Sequence, residues 1–263
     1  MGAITSTDLK NLKRALDAMR QANGAPLKSR TKNGFLETVF CVIQHAVIVS
    51  DIAKDVTLGI KKYRVTDAKT PCPLTVPEFD SILVHVAPAR RALFRTLLDS
   101  GMRISEALAL EWEDLLEVEH GIVSIAVWGQ EMTDAGKTGS AQRVTTIPTE
   151  TFKSIPRLDE KRVFPFSYDT AAAEWRKAVH RAQSPAFATE FPALVKCPTI
   201  HDLRHTHAGF LLTECGFNLA LVATRLGHKS IDVTKKYYGH LEKGQSHALG
   251  VIVAQAIPRG VVS

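Results

Sequence analysis

The sequence predicts an α+β chain, mainly helical, with one small antiparallel β-hairpin between helical segments. Three observations carry this. Apolar residues recur at helical spacing ahead of Gly121 and again beyond Thr170. Between Gly121 and Pro148 the pattern changes to β-branched runs on either side of a Gly-, Thr- and Asp-rich segment, which is the pattern of a hairpin. A proline-containing stretch near Thr70 to Pro73 separates a basic front from a charge-balanced remainder.

In chain order, Thr7 or Ser6 can cap a first helix through Leu9, Leu12, Leu16 and Met19 that ends near Gly24 and Pro26. A second helix runs from Asn33 through Leu36, Val39, Phe40, Ile43 and Val47. A linker falls around Tyr63 to Leu74, and Thr75-Val76-Pro77-Glu78 then has capping-box spacing with its proline in the tolerated first turn. The next helix, from about Arg90 through Leu93, Phe94 and Leu97, stops at Gly101; Arg103-Ile104-Ser105-Glu106 opens another, with Ala107, Leu108 and Leu110 behind it. Glu111, Glu113 and Asp114 read as an exposed acidic face. Ile122, Val123, Ile125, Val127 and Trp128 form the outgoing hairpin strand, Arg143 to Ile147 the return, and Lys137 sits near the loop. Phe152, Ile155, Leu158, Val163 and Phe164 supply core. A helix from about Thr170 to Gln183 carries Ala173, Trp175 and Val179, with Arg176, Lys177, His180 and Arg181 turned to water or to a polyanion. Ser184 to Pro198 is a loop with three prolines.

Composition narrows the function classes. With 263 residues and 45% hydrophobic content, the chain has room for one large and one small domain. No apolar run is long enough for a bilayer and no signal peptide is visible, which predicts a cytoplasmic protein. Cys41, Cys72, Cys197 and Cys215 lie far apart with no CxxC pair and are expected to be reduced, buried thiols. Residues 1–66 hold eleven Lys and Arg against five Asp and Glu, which accounts for the whole +6 excess. Lys10, Lys13, Arg14 and Arg20, then Lys28, Arg30 and Lys32, then Lys61, Lys62 and Arg64, form three basic clusters. They suit a polyanion or a solvated basic face equally well.

The stretch from His201 to Leu241 is the richest in chemistry. His201 and Arg204, three apart, share a face near the start of a helix that runs on through Ala208, Phe210, Leu211 and Leu212. One face can hold one phosphate. Asn218 can cap a second short helix that Gly227 stops, leaving His228 exposed at the turn, and Ser230 opens a third segment ending in Tyr237, Tyr238, Gly239 and His240. Arginine offers a planar fork for phosphate oxygens, and a histidine can take the proton that a tyrosine, with a pKa of about 10, loses in order to attack. Together these types suit attack on a phosphodiester. His201, His205 and His207 also raise the idea of zinc, but Asp202 stands where a metalloprotease helix has glutamate, and Arg204 would place a cation beside the metal. No metal site is expected.

The runs HDLRHTHAGFLL, from His201, and RLGHKSIDVTKKYYGHL, from Arg225, resemble the catalytic end of the tyrosine recombinases, the phage-integrase family. LLDSGMRISEALALEWEDL, from Leu97, is a second match. The resemblance implies a tyrosine-recombinase catalytic domain at residues 75–244. It is preceded by a short helical core-binding-like DNA-binding region at 1–66 and a linker at 67–74, and followed by a tail at 245–263 that resembles an element exchanged between protomers. By the same resemblance Arg103 and Arg204 neutralise the phosphate, Glu106 holds the site together, and Lys137, six residues before Arg143, is the general acid. His201 accepts or steers the tyrosine proton and His228 holds a phosphate oxygen. The family ending of threonine, three residues, then Tyr-x-His matches Thr234, Tyr238 and His240, and selects Tyr238 over Tyr237 as nucleophile.

The implied activity is site-specific strand transfer on double-stranded DNA through a 3′-phosphotyrosyl link, without ATP, metal or other cofactor. The implied assembly is a homotetramer on DNA and a monomer without it, served by accessory DNA-bending or directionality proteins and located with the nucleoid. A type IB topoisomerase shares the residue set, and a non-cleaving DNA-binding remnant of a mobile element is a reading of a different class.

Overall fold

The structure, a computed structural model, describes residues 4–49, 54–66, 70–128, 132–133, 136–137, 143–187, 190–216, 218–228, 230–232, 234–235 and 238, with the side chains of 117–119, 132–133 and 136–137 outside that description. The chain forms two compact units, Met1–Thr70 and Pro71–Ser263.

In the first unit α1 (Ser6–Ala18) buries Leu9 and Leu16 and α2 (Ser29–Ile48) buries Leu36 and Ile43, each pair two turns apart. Thr5 caps α1, in place of the expected Ser6 or Thr7, because its side chain and that of Asp8 close a reciprocal capping box. α2 begins before Asn33, since its first turn is polar and apolar periodicity cannot see it. Tyr63 closes the unit: its N–H donates to Asn33 Oδ1 at 2.7 Å, and its hydroxyl donates to the Lys13 carbonyl at 2.9 Å. Its ring lies 4.6 Å from the Lys13 ammonium and 5.0 Å from that of Lys32.

The second unit begins with α3 (Val76–Leu83), opened by the expected Thr75–Glu78 capping box, and α4 (Pro88–Ser100). The first-turn proline starts α4 two residues before Arg90, and Gly101 ends it in the left-handed conformation at φ +67°. α5 (Ile104–Leu108) is capped by Arg103 with Glu106 at its third position. A 3-10 turn, Trp112–Asp114, leads into β1 (Leu115–Glu119), which pairs antiparallel with β2 (Ile122–Val127). The expected acidic face is thereby corrected: Asp114 is buried, accepting from Trp128 Nε1 at 2.7 Å and from the Glu111 N–H at 2.9 Å. β1 escaped the sequence reading because His120 and Gly121, at φ 49° and 80°, reverse the chain without a glycine pair to announce it.

β2 pairs in turn with β5 (Arg143–Pro148), so the hairpin expected from the sequence is the centre and edge of a three-stranded sheet in the order β1-β2-β5. The tips of that hairpin add β3 (Met132–Thr133) and β4 (Gly136–Lys137). After α6 (Thr149–Lys153), Val163 and Phe164 enter the core as expected, but Leu158 is 51% exposed. α7 (Tyr168–Gln183) follows, capped by Ser167.

The core is anchored by Trp175, whose ring lies 5.0 Å from Phe94 and 6.4 Å from Phe79 and whose indole N–H donates to the Pro198 carbonyl at 3.0 Å. Burying each such side chain is worth about 1.5–3 kcal/mol. The cysteines are corrected as well: Cys41, Cys197 and Cys215 are exposed and Cys72 is half-buried.

Gly101 illustrates how closely the second unit is packed. A Cβ there would stand 2.5 Å from His207 Cδ2 and 2.9 Å from Leu226 Cδ2, on a backbone that side chains resist. Gly101→Ala should therefore lower stability by about 1–3 kcal/mol in urea unfolding. A variant as stable as the parent would show that this close approach is not needed.

Candidate active site

The site is built on α8 (Ile200–Thr213). Thr199 and Asp202 close its capping box, with the Thr199 N–H and hydroxyl both donating to Asp202 Oδ2 at 2.6 Å. The other Asp202 oxygen accepts from the Cys72 N–H at 2.8 Å, and the Thr206 hydroxyl accepts from the Leu74 N–H at 2.9 Å. Leu203 is fully buried in the core. With Asp202, Leu203 and Thr206 committed to the protein, His201, Arg204 and His205 are left for the opposite face.

α9 (Leu219–Leu226) is capped by Asn218 and ends on Gly227 at φ +68°, as the sequence indicated. His228 follows, and here the expectation of an exposed ring is corrected. It is half-buried, and its Nδ1 shares a 2.7 Å hydrogen bond with the buried Thr234 hydroxyl. Tyr238 is 6% exposed, packs with Leu211, Leu212, Leu219, Val222 and Leu226, and hydrogen-bonds His205 Nδ1 through its hydroxyl. Arg103, His201, Arg204, His205, Leu226, His228 and Tyr238 line one cleft of about 210 Å³.

Arg204 is buried and donates to the Gly101 carbonyl at 2.8 Å and the Leu226 carbonyl at 2.7 Å. Burial, then Arg103, lower its pKa to about 9, so it stays cationic at neutral pH. Glu106 lies between two arginines: Arg103 Nη1 donates to it at 2.8 Å and Arg143 Nη2 at 2.7 Å. Burial raises its pKa, but the bonds from Arg143 and Arg103 outweigh this and leave a net lowering, so the carboxylate stays ionised. The histidines move the other way. Burial first, and then the Arg204 charge, hold His228 at about 4. Burial and then His201 hold His205 at about 4. His201, which opens to solvent at the cleft mouth, is lowered by lost solvation and then by Arg204. At neutral pH the cleft therefore presents fixed cations and neutral imidazoles.

Behind this face, His207 Nδ1 bonds the Leu98 carbonyl at 2.9 Å and its Nε2 meets Arg225 Nε at 3.1 Å. The carbonyl can only accept and the guanidinium only donate, so the ring carries its proton on Nδ1. Arg225 also donates to the Thr146 carbonyl and hydroxyl, each at 3.2 Å, tying β5 to α8.

Of the residues proposed from sequence, the structure brings Arg103, His201, Arg204, His228 and Tyr238 into the cleft, with Glu106 beneath Arg103. The Lys137 backbone pairs with Met132 across β3 and β4, and its side chain lies outside the described residues, as do Tyr237, Gly239, His240 and residues 245–263. The sequence offers His205 only as a zinc ligand, and its one-turn spacing from His201 is the signal that places it on the same face. Arg143 stands out in the sequence only by its spacing from Lys137, because its partner Glu106 is 37 residues away.

The basic clusters differ in how free their charges are. Lys13 donates to the Lys61 carbonyl at 2.7 Å, Lys32 pairs with Asp17 at 2.7 Å, Lys62 pairs with Glu37 at 2.9 Å, and Arg14 donates to Asn11 Oδ1 at 3.2 Å. Lys10, Lys28, Arg30, Lys61 and Arg64 are exposed. Among the described residues no group of three or more His, Cys, Asp or Glu could hold a metal ion, and no helix is long and apolar enough to cross a membrane.

Residues 74–244 match the family described as the phage integrase family. The chain is 24% identical over 237 residues to the ICEBs1 integrase of Bacillus subtilis (strain 168), covering 82% of this chain and 62% of that one. It is 25% identical over 248 residues to the prophage integrase IntR of Escherichia coli (strain K12), covering 80% and 57%. With the tyrosine recombinase XerD of Staphylococcus saprophyticus the identity is 28% over 234 residues, covering 85% and 75%. The chain thus spans about six-tenths of the length of the first two relatives. Its fold resembles the Tn1549 transposon integrase in complex with transposon right end DNA, with a TM-score of 0.66 and 20% identity over 94% of this chain and 86% of that one. It also resembles the XerH site-specific recombinase bound to palindromic difH substrate, with a TM-score of 0.63 and 18% identity over 94% and 72%.

The low His207 pKa, about 4 against an ordinary 6.5, follows from burial and then from Arg225. Because the folded value is depressed, the stability it contributes is fully present above the unfolded value and is lost as pH falls through the folded one, by on the order of 3 kcal/mol. Urea unfolding between neutral pH and about pH 4.5 should show a shallower decline for His207→Gln than for the parent. An equal slope would mean that His207 does not resist protonation.

Proposed function

Because the chain belongs to the phage integrase family, we propose that it is a site-specific DNA recombinase that breaks and rejoins strands through Tyr238. What supports this reading is the convergence of a tyrosine hydroxyl, two arginines and three histidines on one cleft.

The scissile phosphate sits over Arg204 and Arg103. Tyr238 Oη attacks phosphorus to give a 3′-phosphotyrosyl link, and the charge growing on the non-bridging oxygens meets guanidinium groups already fixed in place by Gly101, Leu226 and Glu106. That preorganisation avoids reorganising solvent during the reaction. With the Thr234 hydroxyl donating to Nδ1, His228 carries its proton on Nε2 and offers it to a phosphate oxygen. His201, at the mouth, accepts or steers the phenolic proton, and Lys137 protonates the leaving 5′-oxygen. The phosphotyrosyl bond conserves the energy of the phosphodiester, so strand joining is the reverse attack by a 5′-hydroxyl and draws on no nucleotide.

Residues 1–66 position the DNA backbone through their exposed cations, Lys10, Lys28, Arg30, Lys61 and Arg64, with Lys13, Arg14, Lys32 and Lys62 engaged within the unit. Four protomers assemble on two recombination sites, with accessory DNA-bending proteins setting direction.

Incubation with nicked target DNA in EDTA should yield an SDS-resistant protein–DNA adduct. Tyr238→Phe should abolish it, and Tyr237→Phe should leave it. Specific binding without an adduct on a verified site would favour a non-cleaving DNA-binding remnant, and efficient relaxation of plasmids lacking any site would favour a topoisomerase.

A further inference from the structure

The phenol of Tyr238 has a neighbour to which the sequence gives no role. Its hydroxyl hydrogen-bonds Nδ1 of His205, with the two ring centroids 5.8 Å apart. His205 stands one helical turn beyond His201, and the two imidazoles meet edge to face at 4.9 Å. The ring is half-buried, on a helix whose opposite side is fixed by Asp202 and Thr206, so its position is set by α8 rather than by a loop. Burial and then His201 keep it neutral at ordinary pH, so one ring nitrogen carries no proton, and with the Tyr238 hydroxyl as donor that nitrogen is Nδ1.

Resting on the strand-transfer reading above, we propose that His205 is a catalytic residue, the direct acceptor of the Tyr238 proton during cleavage and its donor during rejoining, which leaves His201 the steering role of the two offered to it above. As Oη attacks, the Oη–H bond breaks and its proton moves to His205 Nδ1. The Oη–P bond forms, the P–O5′ bond breaks, and the leaving oxygen takes its proton from Lys137. In the reverse step the 5′-hydroxyl gives its proton back to Lys137 as it attacks phosphorus, the P–Oη bond breaks, and His205 returns the proton to Oη. Burial and the charges around it disfavour the imidazolium before substrate binds. A phosphodiester bound between Arg103 and Arg204 brings a negative charge beside the ring and strengthens it as a base. The base is thereby switched on by the substrate it serves.

The test compares adduct formation on nicked target DNA by the full chain and by His205→Gln and His205→Asn. Loss of a general base should slow the adduct by about 100-fold or more, with thermal unfolding close to the parent's. Placing difluorotyrosine at position 238 supplies a more acidic phenol that needs less help. It should restore most of the rate in His205→Gln and change the parent little. An equal loss with either phenol, or an unslowed His205→Gln, overturns the inference alone. Absence of any adduct from the parent overturns the strand-transfer reading beneath it. Nitrogen NMR of the unsubstituted ring gives an independent readout: an unprotonated, hydrogen-bonded Nδ1 signal that shifts in Tyr238→Phe is expected, and a protonated Nδ1 overturns the proposal.

Discussion

The buried guanidinium of Arg204 is the interaction on which the second unit's geometry depends. Its two partners are carbonyls at the C-terminal ends of α4 and α9, where helix dipoles concentrate negative charge and the last carbonyls lack intrahelical partners. One cation therefore satisfies two helix ends and holds three helices together. Both helices must stop abruptly to present those carbonyls, and both do so on left-handed glycines, Gly101 and Gly227. Space around these glycines is already filled: a Cβ on Gly227 would lie 2.7 Å from Arg143.

A buried cation of this kind is costly to solvate with protein alone, and the neighbourhood shows how the cost is distributed. Glu106 is the carboxylate shared by Arg103 and Arg143. Around these charges the histidines are held neutral, His205 and His228 both near 4, as burial and neighbouring cations require. The cleft is thus electrostatically unfinished and prepared for an anion. Under the proposed strand transfer, a phosphodiester would relieve repulsion among the arginines and raise the basicity of the imidazoles at once, so binding and chemistry would draw on the same charges.

The layer behind the cleft explains how the sheet belongs to the site. Arg225 joins His207 on α8 to Thr146 on β5, and Thr145, next along that strand, donates to the Ser100 carbonyl at the end of α4 at 2.9 Å. β5 opens with Arg143, the residue that reaches Glu106. The strand that fixes the lysine-bearing hairpin is therefore fastened to the elements carrying Arg103, Arg204 and His228.

The sequence by itself determined the local parts: the capping box at Thr75, the stops at Gly101 and Gly227, the hairpin between Val127 and Arg143, and the spacing that puts His201 and Arg204 on one helical face. These signals lie within a few residues of what they specify, because helix periodicity, caps and left-handed glycines are short-range physics. Tertiary structure alone decided what each side chain meets. His228 became half-buried beside Thr234, Asp114 became buried beside Trp128, and Arg143 became a partner of Glu106. Lys13, Lys32 and Lys62 were drawn into their own unit, while Cys41, Cys197 and Cys215, expected inside, came to the surface. The partner of the Tyr238 phenol belongs with these: His205 is 33 residues away along the chain, and only the packing of the segment after α9 against α8 makes them neighbours. A burial or a bond of that range is a property of the closed fold, and no local pattern encodes it.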